Sequence, residues 1–388
     1  MKKLVVCSFA LMLVASTFGL SYAYDDPTTG YDAGQGQDGS GSQKEKAKMS
    51  WGEFLDQMKE EMELSDEELK EFGSAIMLPK IALINSSILS DEVGNVILDN
   101  TGNYTFFKKQ GASSGDVEDR YGATMYIKGF GGKEKLDLKD YDSSEFENTY
   151  YGAVLGLDWD RQYSDNFDAT YGLFISYAGS EIKDKDFDDN KITQNAGFAG
   201  LRGIWYAGKF FLGAVVDYGF IQNKMETGAG EESSSEDFNT QSIGLSAKAG
   251  YNFEVADRSF TIQPNVVFNA NYLIPEKITL NKDDDIKTEA DDILDMAVAP
   301  GLKIAKTLGR CWILSAEGKY VFAFPNGDLK FGNDYGEVTY PEAYYKDYVS
   351  CGLGIEKIWG YTVLHVKGHK TFCGRDGYIV NVGIEFKF

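Results

Sequence analysis

From about Tyr121 to the terminal Phe388 the chain alternates apolar and polar residues, and it keeps this period of two for about 268 residues. The closing segment is the clearest case. Tyr378, Val380, Val382, Ile384, Phe386 and Phe388 fall on one face, while Asn381, Gly383, Glu385 and Lys387 fall on the other. One face suits lipid and the other suits water. A soluble sandwich also alternates, but its inner face meets a second sheet, and a bare aromatic carboxyl terminus is rare there. The pattern therefore predicts an all-β fold, a transmembrane antiparallel up-and-down β-barrel over residues 121–388.

Twelve segments share the alternation, near 121–130, 149–160, 167–180, 192–206, 209–222, 240–254, 259–274, 293–306, 310–324, 345–357, 361–370 and 377–388. In the seventh, Phe260, Ile262, Val266, Phe268 and Tyr272 oppose Gln263, Asn265, Asn269 and Asn271. Connections supply an independent test, because outer-membrane barrels have short periplasmic turns and longer outer loops in strict alternation. Long polar stretches such as GGKEKLDLKDYDSSEFEN and METGAGEESSSEDF alternate with RQYSDN, AG, ADRS, LG and IWG. An even strand number with both barrel ends on the short-turn side fits that order.

Composition agrees with strands that present one face to water. Mean hydropathy is −0.32, and 24 Tyr and 25 Phe are enough for aromatic belts. The net charge of −22 argues against nucleic acid or an anionic membrane surface as a partner, since both need a basic footprint. The acid-rich runs at 184–191 and 282–292 lack the spacing of a calcium loop and read as solvated loops.

The first 120 residues have a different character. Residues 1–23 combine two lysines, an apolar run and the ending Ser21-Tyr22-Ala23, which predicts a cleaved signal peptide. Cys7 lies too early and in the wrong context for a lipoprotein. Residues 24–48 are Gly, Ser, Asp and Gln with hardly an aliphatic side chain, so they form a flexible leader. Residues 49–75 predict short acidic amphipathic helices, with Trp51, Phe54, Leu55, Met58 and Met62 at helical spacing and a capping box at Ser65. In the linker 76–120, residues 76–99 are a candidate lumen helix with Pro79 near its start. Its stripe is Ile81, Ile84 and Ile88, and Ser86, Ser87, Asp91 and Asn95 offer partners to lumen lysines. In the mature chain no run of 18 consecutive apolar residues occurs, so spanning falls to the strands.

Charged side chains on the expected lumen face are Lys128, Asp158, Arg202, Asp217, Lys248, Lys303, Glu317, Lys319, Glu356, Lys367 and Glu385, together with His365 and His369. Mixed signs favour a lattice that holds a plug helix or sets weak ion selectivity. His365 and His369 lie four apart on one strand, too far to share one metal ion without bending, so no metal or other cofactor is expected. Their scarcity also argues against a lipase, and no enzymatic activity is expected. Cys311 and Cys373 fall at opposite ends of the expected membrane band, beyond disulfide reach, and Cys351 reads as a small lipid-facing hydrophobe.

These segments resemble the translocator domains of autotransporters, the type V secretion proteins, over about residues 115–388. Tyr126-Ile127-Lys128-Gly129-Phe130-Gly131-Gly132 resembles that family's opening aromatic-x-basic strand, with Tyr where Trp is usual. YYGAVLGLDWDRQYSDNFDATYGLFISYAGSEI resembles its paired second and third strands, LSAKAGYNFEVADRSFTIQPNVVF resembles a later hairpin, and the chain closes on Phe388 as members do. The resemblance implies twelve strands, a helix threading the lumen to join the barrel to an N-terminal passenger, and insertion by the β-barrel assembly machinery. That machinery would read the terminal strand, Tyr378, Val380, Val382, Ile384, Phe386 and Phe388. Some members cut their own linker with a lumen Asn, which makes Asn85 and Asn95 formal candidates.

The expected setting is the outer membrane of a Gram-negative-type cell, with lipid around a monomer. The leading expectation is anchoring and export of the short acidic N-terminal segment. The alternatives are a passive porin-like channel plugged by the N-terminal helices, and an adhesin acting through its outer loops.

Overall fold

The structure is a computed structural model that describes residues 48–102, 122–136, 145–164, 166–187, 189–228, 234–255, 259–276, 278–281, 286–290, 292–309, 311–326, 329–332, 337–339 and 347–388. The expected signal peptide, all but the last residue of the leader, residues 103–120 of the linker and the first barrel residue, Tyr121, lie outside the described residues.

Twelve antiparallel strands make one closed ring. They are β1 (Ala123–Leu136), β2 (Phe146–Ser164), β3 (Phe167–Asp184), β4 (Lys191–Ala207), β5 (Phe210–Thr227), β6 (Ser234–Tyr251), β7 (Phe260–Pro275), β8 (Ile293–Leu308), β9 (Trp312–Asn326), β10 (Tyr348–Trp359), β11 (Thr362–Cys373) and β12 (Arg375–Lys387). Each strand pairs with its neighbour in sequence, and β12 returns to β1 with Ile384 opposite Ile127. The last residue takes part in closure, since the Phe388 amide donates to the Ala123 carbonyl at 2.8 Å. A closed ring satisfies every ladder group and leaves no edge in lipid.

The two faces of each strand differ as the alternation requires. On β3, Leu173, Ile175 and Tyr177 are exposed, whereas Phe174, Ser176 and Ala178 alternating with them are buried. Exposed aromatic side chains collect near both ends of the band: Trp159, Tyr163, Phe167, Tyr171, Trp312 and Trp359 toward the short turns, and Tyr151, Tyr177, Tyr218 and Tyr320 toward the long loops. Amphipathic rings favour the lipid–water boundary, which they mark on both sides. The short turns are tight. Gly208 and Gly360 take φ of 62° and 59°, in the left-handed region where a Cβ is strained.

Several strands run further toward the long loops than the sequence pattern suggests. β1 continues to Leu136, through residues expected to be loop, and β2 begins at Phe146. Period two persists there, with Glu134 and Leu136 buried and Lys133 and Lys135 exposed. The outward face is now charged, so the apolar signal that marks a membrane strand is gone. Cross-strand pairs replace it, Lys133 with Glu147 and Lys135 with Glu145, each at 2.6 Å.

Two long loops expected to be plain solvated chain also carry strands. Ile278–Asn281, Ile286–Ala290, Leu329–Gly332 and Glu337–Thr339 join Lys48–Met49 in a separate five-stranded sheet, with Lys48 and Met49 running parallel to Glu337 and Val338.

Among the described residues, two helices precede the barrel, α1 (Trp51–Glu61) and α2 (Asp66–Leu98). Each opens with a capping box, Ser50 with Glu53 and Ser65 with Glu68. The second short helix and the candidate lumen helix are one element, and Pro79 lies inside it rather than near its start. An interior proline removes a donor and costs about 3 kcal/mol. Burial of Ile76, Met77, Leu78 and Ile81 on both sides of Pro79 offsets that cost. By length and composition α2 is apolar enough to cross a bilayer, but most of that stretch is buried inside the protein, where barrel strands rather than lipid surround it.

Candidate functional site: the lumen and its helix

The lumen has three zones, stacked along α2. At the long-loop mouth, inward side chains make an apolar collar: Leu136 opposite Phe146, Ile182 opposite Ile192, and Leu273 opposite Ile293, with Met225, Phe238, Val321 and Tyr348 completing it. Phe54 and Met58 of α1 and Ile76, Met77 and Ile81 of α2 fill the collar. The opposite face of α1 presents Glu53, Asp56, Glu60 and Glu61 to solvent. At the same mouth Ser74 hydrogen-bonds Asp184, and Asn190 donates to the Glu71 carbonyl at 3.4 Å. Asp184 and Asn190, expected in a solvated acidic loop, are therefore buried anchors for the start of α2.

The middle zone is polar, built mostly of amides and hydroxyls with two carboxylates. Asn85 donates to Ser180 at 2.6 Å and to Gln194, and accepts from Asn148 at 2.6 Å. Gln194 also donates to the Ala82 carbonyl at 2.8 Å and to Ser86 at 3.1 Å. Asn271 donates to Ser87 at 3.0 Å and Asp91 at 2.7 Å, and Ser90 donates to Asp217 at 3.4 Å. Ser86, Ser87 and Asp91 thus meet strand amides, not the lysines expected from sequence. Asn95 is half-buried beside a cavity.

The lysines go to the end of the helix instead. Lys128 donates to the Val96 carbonyl at 3.4 Å, and Lys367 to the Asp99 carbonyl at 3.3 Å and its carboxylate at 2.5 Å. The last turn of a helix carries unpaired carbonyls and about half a negative charge, which draws cations there. Around it Glu385 faces Lys128 at 3.4 Å and accepts from Asn100 at 2.9 Å, while Asn100 meets His365 at 3.3 Å. His369 stands 3.5 Å from Glu317 and Arg202 3.4 Å from Asp158. Lys248, Lys303 and Glu356 are buried, and Lys319 is half-buried. Beyond the helix, the Gly102 carbonyl accepts from Asn252 at 3.0 Å, next to the short turns.

One cluster escaped the sequence reading. Arg375 binds Glu134 through Nε at 2.8 Å and Nη2 at 2.9 Å, and reaches Glu92 of α2 at 3.2 Å and the Tyr348 hydroxyl at 3.2 Å. Glu134 and Arg375 sit in stretches expected to be loop. Extending the inward register Asn381, Ile379, Gly377 by one step would have placed Arg375 in the lumen. Cys311, Cys351 and Cys373 are exposed free thiols.

The family model described as the autotransporter beta-domain matches residues 125–360, more than half of the chain. The chain belongs to the autotransporter β-domain family. Solved relatives share the fold at low identity. The β domain of the Bordetella autotransporter BrkA superposes with a TM-score of 0.56 at 13% identity, covering 69% of this chain and 100% of that one. The transport unit of the autotransporter AIDA-I from Escherichia coli gives 0.53 at 15% identity, covering 74% and 97%. The translocator domain of the autotransporter NalP from Neisseria meningitidis gives 0.53 at 13% identity, covering 75% and 99%. No curated protein sequence matches the chain. This autotransporter-type barrel is an outer-membrane β-barrel, and its family is a transport domain. The family match ends at residue 360, but the ring closes only through β11 and β12, which bring in His365, Lys367, His369, Arg375 and Glu385.

Proposed function

We propose that this outer-membrane barrel anchors and exports its own N-terminal segment, residues 24–48, after entry into the secretory route through a cleaved signal peptide at residues 1–23. The direction of α2 carries this reading. Its start is held at the long-loop mouth by Asp184 and Asn190, and the chain just beyond its end meets Asn252 beside the short turns. Long loops face outward in barrels of this class. A chain that enters from the periplasm at residue 102 and follows α2 backwards leaves the lumen outside. The short acidic α1 then rests on the outer mouth, and the leader extends from it. Insertion would use the β-barrel assembly machinery, reading the strand from Tyr378 to Phe388, and the barrel would work as a monomer in lipid.

An epitope inserted near Gly39 tests the reading. Antibody labelling of intact cells is the expected result. Labelling only after the outer membrane is permeabilised would reverse it.

Burial of Phe54 and Met58 in the collar favours a second reading, a channel held shut by its N-terminal helices. In that case removing residues 49–98 turns a nearly closed barrel into an open pore, and the leader has no surface role. The adhesin reading is supported by the small sheet that ties the two long loops to Lys48–Met49. Of the loop aromatics, Tyr335, Tyr340 and Tyr344 lie outside the described residues.

A further inference from the structure

Above the tyrosine belt the outward face of β1 to β4 turns from apolar to charged. Tyr151 and Tyr177, 56% and 48% exposed, mark the lipid boundary on this side. Tyr151 of β2 stands opposite Gly131 of β1, and the next outward residues of β1 are Lys133 opposite Thr149 and Lys135 opposite Glu147. At about 3.3 Å per residue these two lysines lie roughly 7 and 13 Å beyond the belt along a tilted strand, at the level of lipid headgroups.

Strand register brings like charges together there. One row runs Lys135, Glu147, Lys183 and Lys191 across β1 to β4, with Lys183 directly opposite Lys191. Like charges in direct opposition on one face destabilise a sheet. Both ammoniums turn to the same carboxylate, Glu181, each at 2.9 Å. Glu145 is shared in the same way, by Lys135 at 2.6 Å and Lys185 at 3.4 Å, while Lys133 takes Glu147 at 2.6 Å. Five lysines therefore meet three glutamates, an excess of two positive charges on this sector. Lys183 is 51% and Lys191 29% exposed, so the pair is open to the headgroup layer. Across the barrel the long-loop ends of β7 and β8 carry Glu276 and Asp292 outward, and among the described residues they are bonded by Asn239 and Tyr272 rather than by lysines. The chain as a whole carries −22 and its sequence offers no basic footprint, yet the fold collects one on four neighbouring strands.

We propose that the outward face of β1 to β4 above the tyrosine belt binds a phosphate-bearing lipid headgroup of the outer leaflet, with a phosphate seated between Lys183 and Lys191 and a second contact at Lys135 and Lys185. Phosphate between the opposed ammoniums relieves their repulsion, and lysine binds it as a point charge. Glu181 does not block the site, because exposed ion pairs of this kind contribute little and exchange at small cost, whereas a lysine beside an anionic lipid surface gains more. The proposal uses the outward orientation of the long loops and is independent of export of the leader.

The test is native mass spectrometry of the full chain in detergent, with diphosphoryl lipid A as the probe. It is expected to bind at least about tenfold more tightly than the same lipid stripped of its phosphates, the effect of two ammoniums at a headgroup surface. Lys183→Gln with Lys191→Gln should reduce that preference to about twofold or less, and Lys183→Arg with Lys191→Arg should keep it. Glu276→Gln with Asp292→Asn, in the sector without lysines, should leave it unchanged. Heat-modified gel migration checks that each variant is folded. Equal binding of the lipid with and without phosphates, or a preference that survives the double glutamine variant, would overturn the proposal. Displacement of the lipid by an equal concentration of inorganic phosphate would make the site one for free anions and overturn it as well.

Discussion

Arg375 in β12 grips Glu134 in β1 with two parallel hydrogen bonds, 2.8 and 2.9 Å, across the seam where the barrel closes, and both side chains are at most 1% exposed. The same guanidinium reaches Glu92 on α2. Barrel closure and helix seating therefore share one cation, held in the bidentate geometry that only arginine provides.

Removing that cation should be expensive. Arg375→Met leaves two buried carboxylates without a counter-charge, and a loss of about 3–5 kcal/mol is expected for breaking a buried pair from one side. Replacing Glu134 and Glu92 with Met and Gln in the same chain should recover most of it. Urea unfolding in detergent, followed by gel migration with and without heating, measures both. Equal stability of the single and triple variants would show that the cluster does not act as a unit.

The lipid face of the closing strand gives a second prediction. Val382→Arg places a charge on that face and is expected to cost about 2–4 kcal/mol and block assembly, while Lys387→Gln assembles normally. Deleting Phe388 also removes the terminal bond to Ala123 and should slow insertion. Glu385 is not a neutral control, because it holds Asn100 and faces Lys128. The amount of folded barrel in outer-membrane fractions decides among these outcomes.

Helix seating can be tested at Gly94. A side chain there would meet Ser246 Oγ at 2.0 Å, so Gly94→Ala should push α2 off β6 and raise single-channel conductance. Ser246→Gly in the same chain should restore the closed state. Failure of that rescue would mean that Gly94 acts through helix propensity, where alanine is the better residue.

Acid should loosen the helix starts at the mouth. Hydrogen bonds from the Ser50 amide and hydroxyl hold Glu53 below the ordinary 4.5, and those from the Ser65 hydroxyl and amide do the same for Glu68. A depressed folded-state value contributes stability that is full above the ordinary value and is lost as pH falls through the folded one. Protease sensitivity of residues 49–70 should therefore rise below about pH 4 in the native chain, and much less in Glu53→Gln with Glu68→Gln. An equal rise in both proteins on acidification would rule out a role for these caps.

The strand series, its outward register and its alternation of short turns with long loops were legible in the chain because they are local. Period two is written residue by residue, and a lipid face beside a water face leaves no freedom in which side chain points outward. Family membership followed from the same order of strands. The true extent of β1, β2 and β12 was not legible, because past the membrane the outward face turns polar and the apolar outward signal ends before the pairing does, while inward residues such as Leu136 and Phe146 stay apolar. Pro79 misled for a related reason: a local rule against proline in a helix was outweighed by burial that only the surrounding wall provides.

The lumen belonged to the tertiary structure. Inward positions such as Lys128 or Lys367 can be picked out by counting, but their partners lie across a lumen and more than thirty residues away, and the rotation of α2 selects them. At one close approach, Gly94 of α2 lies against Ser246 of β6, where a Cβ would come within 2.7 Å of the Ser246 Cβ. Which face each residue takes is thus a property of the strand it sits in. What it meets there depends on how twelve strands and one helix divide a common interior.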